Sequence, residues 1–371
     1  MLNEMSVSNP STSTVFTDYR QPSVSIVIPT YNEADNIEAI VNCFLATKYP
    51  NLLEIVVVDG QSTDGTSDLV ENIAQEHPIV RVIENPQRIQ SVGLNIGFKA
   101  CKGDILLRAD AHCDYGSDYI EQCVSALQQS SALNVGGCQR FVARSPFQAG
   151  IALASRSWLG SGGAKYRDPE YTGYADTVYL GCFKRQALLD INSSGIEVFD
   201  TSQITNQDAE LNQRLLDLSP QAIYISSQIK VWYYPRKTWK SLGQQYFKYG
   251  RGRYLTSTKH RGRSQIRGKL PFLFFSTIIL LLVFDLLSPV DLYIKEICAF
   301  GVLLAFIESL RVNFKLKDFT SEIWRGSLEE VPSFLSRWIT CGVVILTMPI
   351  AHFSGYGYQT FRNRILAIEG W

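Results

Sequence analysis

Over the first 110 residues apolar runs and amphipathic stretches follow each other in a regular order. VSIVIP (24–29) is an unbroken β-rich run, and in the segment after it, 32–46, Ile37, Ile40, Val41, Phe44 and Leu45 recur at helical spacing. LEIVVVDG (53–60) reads as a second buried strand, and the turn residues Ser62, Asp64 and Gly65 separate it from a helix over 66–77. VRVIEN (80–85), a helix over 88–101 and the run GDILLRAD (103–110) extend the series. Strands alternating with helices at a spacing of about thirty residues predict right-handed crossovers. The fold class is therefore α/β, a mostly parallel sheet with helices on both faces. Ligands of such sheets sit beyond the carboxyl ends of the strands. Those ends are Pro29-Thr30-Tyr31-Asn32-Glu33, Asp59-Gly60 and Asp110-Ala111-His112.

The last hundred residues differ in kind. LPFLFFSTIILLLVFDLLSPV (270–290) approaches the roughly 20 residues that cross a hydrocarbon core. ICAFGVLLAFI (297–307) is shorter and WITCGVVILTMPIAHF (338–353) intermediate. Ahead of them, residues 236–269 hold eleven Lys or Arg and no acid, although the whole chain has a formal charge of zero. Basic residues beside a first span favour the cytoplasmic side, so the part before it is expected to face the cytoplasm. Residues 1–21 are polar, rich in Ser and Thr, and lack the apolar core of a signal peptide. The division expected is a flexible leader (1–21), a catalytic domain (22–235), a basic membrane-proximal segment (236–269) and a membrane region with the C-terminal tail (270–371). Eight cysteines without a C-x-x-C pair indicate neither a zinc cage nor a disulfide framework.

The turn after the first strand, PTYNE, contains no glycine, which disfavours a dinucleotide site, and no P-loop is present. Taken by itself, LLRADAHCD at 106–114 ends in an acid and an imidazole that either bind something or merely terminate a strand. Four motifs in order, VSIVIPTYNEADNIEAIV, EIVVVDGQSTDGT, the helix containing Asn95, and GDILLRADAH, resemble the catalytic domain of family 2 glycosyltransferases over residues 22 to about 250. Within that family the A-D-A-H ending resembles bacterial exopolysaccharide transferases of the succinoglycan glucosyltransferase kind.

The resemblance implies a GT-A fold, a nucleotide-sugar donor and a D-x-D-like metal motif at Asp110 and His112. Negative charge builds on the diphosphate as it leaves, and a divalent cation stabilises it there. Mg2+ wants oxygen ligands, whereas Mn2+ also takes imidazole, so the cofactor expected is one of these two. Residues two apart on a strand point the same way, so both side chains are expected to face the diphosphate. His112 has the alternative of touching phosphate or ribose. By resemblance Asp59 receives the nucleobase, where a carboxylate accepts the imide N–H of uracil; an Asp-Gly turn is its plain alternative. Pro29, Thr30, Tyr31 and Glu33 form the first nucleotide-contacting loop, with Ala111 beside Asp110. Arg88 is a candidate for the diphosphate, or an ordinary surface arginine.

Transfer to a hydroxyl needs a group to take its proton. TNQDAELNQRLLDL (205–218) reads as a helix with Leu211, Leu215 and Leu218 on one stripe and a cap at Thr205 or Asn206. Its first turn carries Asp208, which matches the family's base in inverting transfer, although Gln207 stands where the family has Glu. QQYFKYGRGR (244–253) lacks the Arg-Trp of processive members, which implies one sugar added per encounter. This segment is expected to lie on anionic headgroups, or to close over the donor diphosphate. The stretches 160–168 and 174–181 read as an irregular insertion. The partners expected are a nucleotide sugar, with a uridine diphosphate sugar as the expected donor, a lipid-linked glycan acceptor and the membrane, with no nucleic acid. Two rivals stand beside this: direct transfer to a polyprenyl phosphate, which needs no base, and a transferase-like scaffold without turnover.

Overall fold

The computed structural model describes residues 21–193, 195, 197–260 and 268–371. All but the last residue of the expected leader, and residues 261–267 of the basic segment, lie outside the described residues. The first half alternates as its apolar pattern dictates: β1 (Val24–Thr30), α1 (Ile37–Leu45), β2 (Leu52–Asp59), α2 (Thr66–Glu76), β3 (Val80–Glu84), α3 (Gln90–Ala100) and β4 (Ile105–Arg108). Then come β5 (Cys113–Tyr115), α4 (Tyr119–Gln129), β6 (Asn134–Phe141), α5 (Pro146–Ser155), α6 (Trp158–Ser161), β7 (Gly173–Tyr174), β8 (Tyr179–Lys184) and α7 (Arg185–Ser193). The second part is α8 (Gln207–Leu218), β9 (Ile223–Tyr233), α9 (Trp239–Lys259), α10 (Leu270–Leu287), α11 (Ile294–Lys315), α12 (Phe319–Glu322) and α13 (Phe334–Arg364).

The strands form one sheet in the order β3-β2-β1-β4-β8-β6-β9-β5, with β7 added beside β9. From β3 to β4 all pairings are parallel, as the strand–helix alternation predicts. Beyond β4 the sheet is mixed, because β8 returns antiparallel between β4 and β6 while β6 and β9 run parallel. Register brings Thr30 opposite Asp59 and Asp59 opposite Glu84, so the carboxyl ends of β1, β2 and β3 share one rim.

Period-two alternation sends side chains to two separate cores. Ile26, Ile28, Ile55 and Val57 pack with Val41 and Phe44 of α1 and Ile120 of α4. Val27, Val56, Val58 and Leu106 pack on the other face with Leu94 and Phe98 of α3 and Leu211 and Leu215 of α8. Burial of each such side chain stabilises the fold by about 1.5–3 kcal/mol. A Cβ on Gly97 would collide with Val27, so α3 lies close against β1 only because that position is glycine.

Three helices, α10, α11 and α13, with 18, 22 and 31 residues, are long and apolar enough to cross a membrane. The two later apolar runs, one short and one intermediate in the sequence, lie inside longer helices. The basic helix α9 packs along α13: a Cβ on Gly250 would meet the His352 carbonyl, and one on Gly355 would meet the Phe247 carbonyl. Small residues at such a crossing let two helix backbones approach. The segment 244–253 is therefore a packed helix with one face on α13, rather than a strip whose whole surface is free for headgroups.

Candidate active site

The shared rim of the parallel strands opens into a cleft of about 900 Å3. Pro29, Thr30, Tyr31, Glu33, Arg88, Asp110 and His112 line it, together with Arg144, Tyr233, Tyr234, Arg236 and Lys237. Thus seven of the ten sequence candidates share one cavity. Asp59, Ala111 and Asp208 are not among the lining residues.

The loop after β1 turns sharply. Asn32 has φ of 54°, a left-handed conformation that Asn tolerates, and this delays α1 to Ile37, later than the helix start expected at residue 32. The Asn32 amide donates to Ser62 Oγ (2.8 Å) and the Glu33 amide to Thr66 Oγ1 (2.9 Å), fastening the first loop to the second. Glu33 Oε2 accepts from Asn36 Nδ2 at 2.9 Å, and its Oε1 faces His112 Nδ1 at 3.5 Å. Burial disfavours the charged imidazole of His112, but the Glu33 carboxylate and the charge of Asp110 outweigh it and raise the pKa. In Glu33 burial is likewise outweighed by His112 and Asn36, and the pKa falls.

Asp59 is buried beneath the cleft floor. Its Oδ2 accepts from the Ser62 amide (2.9 Å) and its Oδ1 from Ser62 Oγ (2.6 Å) and Thr30 Oγ1 (3.4 Å). Arg88 is exposed, has φ of 57°, donates to Gln61 Oε1 at 3.3 Å and lies 5.8 Å from the Tyr31 ring centre. It is an exposed cation in the lining of the cleft.

At the fourth strand the structure corrects one step. β4 ends at Arg108, so Asp110, Ala111 and His112 occupy a turn, and strand alternation does not set their directions. What sets them is the chain's reversal into β5. Tyr115 of β5 donates its hydroxyl to the Asp110 carbonyl (3.0 Å) and accepts from the Asp110 amide (2.7 Å), pinning the turn. Ala111 is buried under it.

Arg108 is the residue that sequence reading passed over. Its side chain is 4% exposed and holds two carboxylates at once: Asp110 Oδ1 at 3.2 Å and Asp208, 100 residues on, through Nη1. Burial works against the Arg108 charge, but Asp110 and Asp208 outweigh it and raise its pKa. The sequence carried a signal, an arginine inside an otherwise buried apolar strand, ILLR. Arg144 is a second such residue: it stacks on the Tyr234 ring at 4.2 Å, and Tyr234 donates to Asp114 at 2.6 Å.

Asp208 sits in the first turn of α8, as its pattern predicts, and is 43% exposed. Asn206 takes the N-cap position of α8, as one of the two expected residues, but its side chain makes no capping hydrogen bond. Thr205 Oγ1 donates to the Lys248 carbonyl (2.9 Å) and Asn206 Nδ2 to the Tyr249 carbonyl (3.2 Å), so both tie the start of α8 to α9. Leu218 is exposed, off the buried stripe of Leu211 and Leu215. Gln207 is buried and donates to Gln90 at the start of α3 (2.7 Å), and Asn95 holds the approach to α8 through both atoms of the Phe199 peptide. Neutral amides thus position the helix that presents Asp208.

The donor set can be tested for a cation. Among the described residues no three His, Cys, Asp or Glu side chains are placed to enclose a metal by themselves. Asp110 lends only Oδ1 to Arg108, and His112 lines the same cleft. Mg2+ is usually held by one or two carboxylates with the rest supplied by substrate phosphates, and here Asp110 is the one carboxylate. With His112 as a second ligand the residues fit an open site for Mn2+, which also takes imidazole, and without it an open site for Mg2+.

The sequence model of the family described as Glycosyl transferase family 2 matches residues 25–184. The succinoglycan biosynthesis protein ExoA of Rhizobium meliloti is 32% identical over 76% of this chain and 85% of that protein. The chain belongs to glycosyl transferase family 2. It is a glycosyltransferase, and the matched stretch contains the whole loop set from Pro29 to His112. A second family relative, the dolichyl N-acetyl-alpha-D-glucosaminyl phosphate 3-beta-D-2,3-diacetamido-2,3-dideoxy-beta-D-glucuronosyltransferase of Methanococcus voltae, is 27% identical over 80% of this chain and 89% of its own. The solved structure of the mannosyltransferase PcManGT from Pyrobaculum calidifontis, in complex with GDP-Man and Mn2+, has the same fold. It superposes with a TM-score of 0.58 at 17% identity, over 90% of this chain and 88% of that one.

Proposed function

We propose that this glycosyltransferase moves a sugar, with inversion, from a nucleotide-diphosphate sugar to a hydroxyl of a lipid-linked glycan, in the synthesis of an exopolysaccharide or related glycan. The donor is a uridine diphosphate sugar and the enzyme works at the cytoplasmic face of the inner membrane. One observation carries the reading: Asp110, on the cleft wall, and Asp208, in the first turn of α8, meet on the single buried Arg108. A donor-side carboxylate and an acceptor-side carboxylate are thereby fixed relative to each other.

In this reading the diphosphate lies between the rim of β1 and β4 and the basic wall of Arg144, Arg236 and Lys237. Pro29, Thr30 and Tyr31 shape the nucleotide's bed over the buried Ala111, Asp59 acts on the base edge from beneath through the Thr30 hydroxyl it holds, and Arg88 folds over the phosphates. Asp110 and His112 would hold Mn2+ or Mg2+, which when bound supplies positive charge to the departing diphosphate. Asp208, half open to solvent, accepts the proton of the acceptor hydroxyl as that oxygen attacks the anomeric carbon. Support for the lipid-linked acceptor comes from the three apolar helices, which confine the cleft to a bilayer surface, and from the Methanococcus voltae relative, whose name carries a dolichyl phosphate sugar.

The test is Asp208→Asn, assayed with labelled nucleotide sugars and membrane lipid extracts. Transfer is expected to fall while donor affinity stays. Full activity in that variant on a polyprenyl phosphate would favour the base-free rival, and absence of any metal-dependent uridine diphosphate binding would favour a scaffold.

A further inference from the structure

A second cavity, about 760 Å3, runs between α9 and α13, outside the catalytic cleft. Its walls are apolar: Trp239 and Phe247 from α9, Leu346 and Ile350 from α13. Lys248 and Arg251 stand among them. Of Arg251, Nε donates to Gln359 at 2.8 Å and the guanidinium stacks on Trp371 at 4.2 Å, yet Nη2 is buried and has no hydrogen-bond partner among the described residues. A buried guanidinium nitrogen without a partner is costly unless an acceptor fills the place.

We propose that this groove binds the lipid tail of the acceptor, a polyprenyl-type chain, and that Lys248 and Arg251 take the phosphate at the tail's head.

Three features single out that occupant. One wall belongs to α13, a helix apolar and long enough to span the bilayer, so a hydrocarbon chain enters from the membrane without crossing water. The groove and the catalytic cleft meet at the start of α9: Arg236 and Lys237, just before the helix, and Ser241 in its first turn line the cleft, while Trp239 and Gly243 of α9 line the groove. At the other end, the carbonyls of Lys248 and Tyr249 receive Thr205 and Asn206, the two residues before the helix that carries Asp208. A chain seated in the groove with its phosphate at Lys248 thus delivers the attached glycan toward the proposed base. Guanidinium and ammonium together suit a phosphate, the one as a fork and the other as a point charge. A bulk phospholipid shares the charge and the apolar tail, and the experiment separates the two.

Gly243 supplies the variant. A Cβ there meets nothing within 4 Å, and replacing glycine inside a helix raises helix propensity, so Gly243→Trp fills the groove without disturbing α9. The full chain is reconstituted in nanodiscs and labelled with a long-chain polyprenyl phosphate carrying a diazirine. Label is expected on peptides containing Phe247, Leu346 or Ile350, competed by undecaprenyl phosphate and not by phosphatidylglycerol, and lost in Gly243→Trp. Each buried methylene is worth a factor of about four in affinity, so displacing two or more raises KM for a lipid-linked acceptor by more than about tenfold. Donor affinity stays unchanged. Lys248→Glu is expected to act likewise. Labelling elsewhere, equal competition by phosphatidylglycerol, or unaltered labelling and KM in Gly243→Trp overturns the proposal. This inference rests on the lipid-linked acceptor proposed above, and the two fail differently. Specific label in the groove with no transfer to any lipid-linked acceptor removes the function and leaves the groove; transfer with unchanged KM in Gly243→Trp removes the groove and leaves the function.

Discussion

Arg108→Met is the perturbation that best separates the two carboxylates. Arg108 is 4% exposed, Asp110 is 10% and Asp208 is 43%. Deleting the cation leaves Asp110 as an uncompensated buried charge, and breaking such a pair costs about 3–5 kcal/mol. Asp208 turns toward water instead, and its share is that of a solvent-screened pair, about 1 kcal/mol or less. The loss of stability should therefore reside almost entirely in Asp110. Adding Asp110→Asn to Arg108→Met removes the stranded charge and should recover about 2–3 kcal/mol, a coupling within the range seen for residues in one ion-pair network. Asp208→Asn alone should cost under about 1 kcal/mol. Thermal unfolding of the four proteins in one detergent, with hydrogen exchange at β4 and α8 amides, reads each step. If Asp208→Asn destabilises as much as Arg108→Met, or if Asp110→Asn brings no recovery, the assignment of Arg108 as the support of a buried donor-side carboxylate is refuted.

Other consequences are independent of that cycle. Asp208→Asn should lower transfer by about 10²–10⁴, the span of general-base contributions, with nucleotide binding by calorimetry nearly unchanged. Asp110→Asn should weaken Mn2+-dependent donor binding by about tenfold or more, and removal of the metal by a chelator should erase the difference between wild type and variant. Burial pushes Glu210 up, but Arg214 and Lys259 outweigh it and hold its carboxyl below 4.5. A depressed acid stabilises above its unfolded pKa and loses that contribution as pH falls through the folded one, so acid unfolding below pH 4.5 should be shallower in Glu210→Gln. Gly355→Leu would force α13 away from the Phe247 carbonyl, and should loosen α9 while leaving the soluble sheet's hydrogen-exchange protection intact.

Each of these tests depends on a different part of what could be read beforehand. The alternation of apolar runs and amphipathic segments dictated β1 to β4 and the helices between them, because a strand buried on both faces must be continuous in apolar residues and its crossover helix must carry a stripe. The same rule located the rim at Thr30 and Asp59, since strand ends are where those runs stop, whereas Asp110 reaches the cleft from the turn beyond the end of β4 at Arg108. Three membrane helices were legible because a hydrocarbon core sets a minimum apolar length. Where the runs gave no periodicity, the reading stopped. The antiparallel return of β8 between β4 and β6 pairs residues far apart in the chain, and no local pattern encodes a long-range register. Thr205 and Asn206 have the chemistry of helix caps and Asn206 takes the N-cap place, yet both side chains donate to carbonyls of α9 rather than accepting from α8, an arrangement that only packing could make. Arg108 drew no reading from the run GDILLRAD, because its role appears only once Asp208 is folded against it. Local residues thus determined which groups have the chemistry for transfer; only the tertiary structure decided which of them stand together, because a buried charge needs its partners brought from elsewhere in the chain.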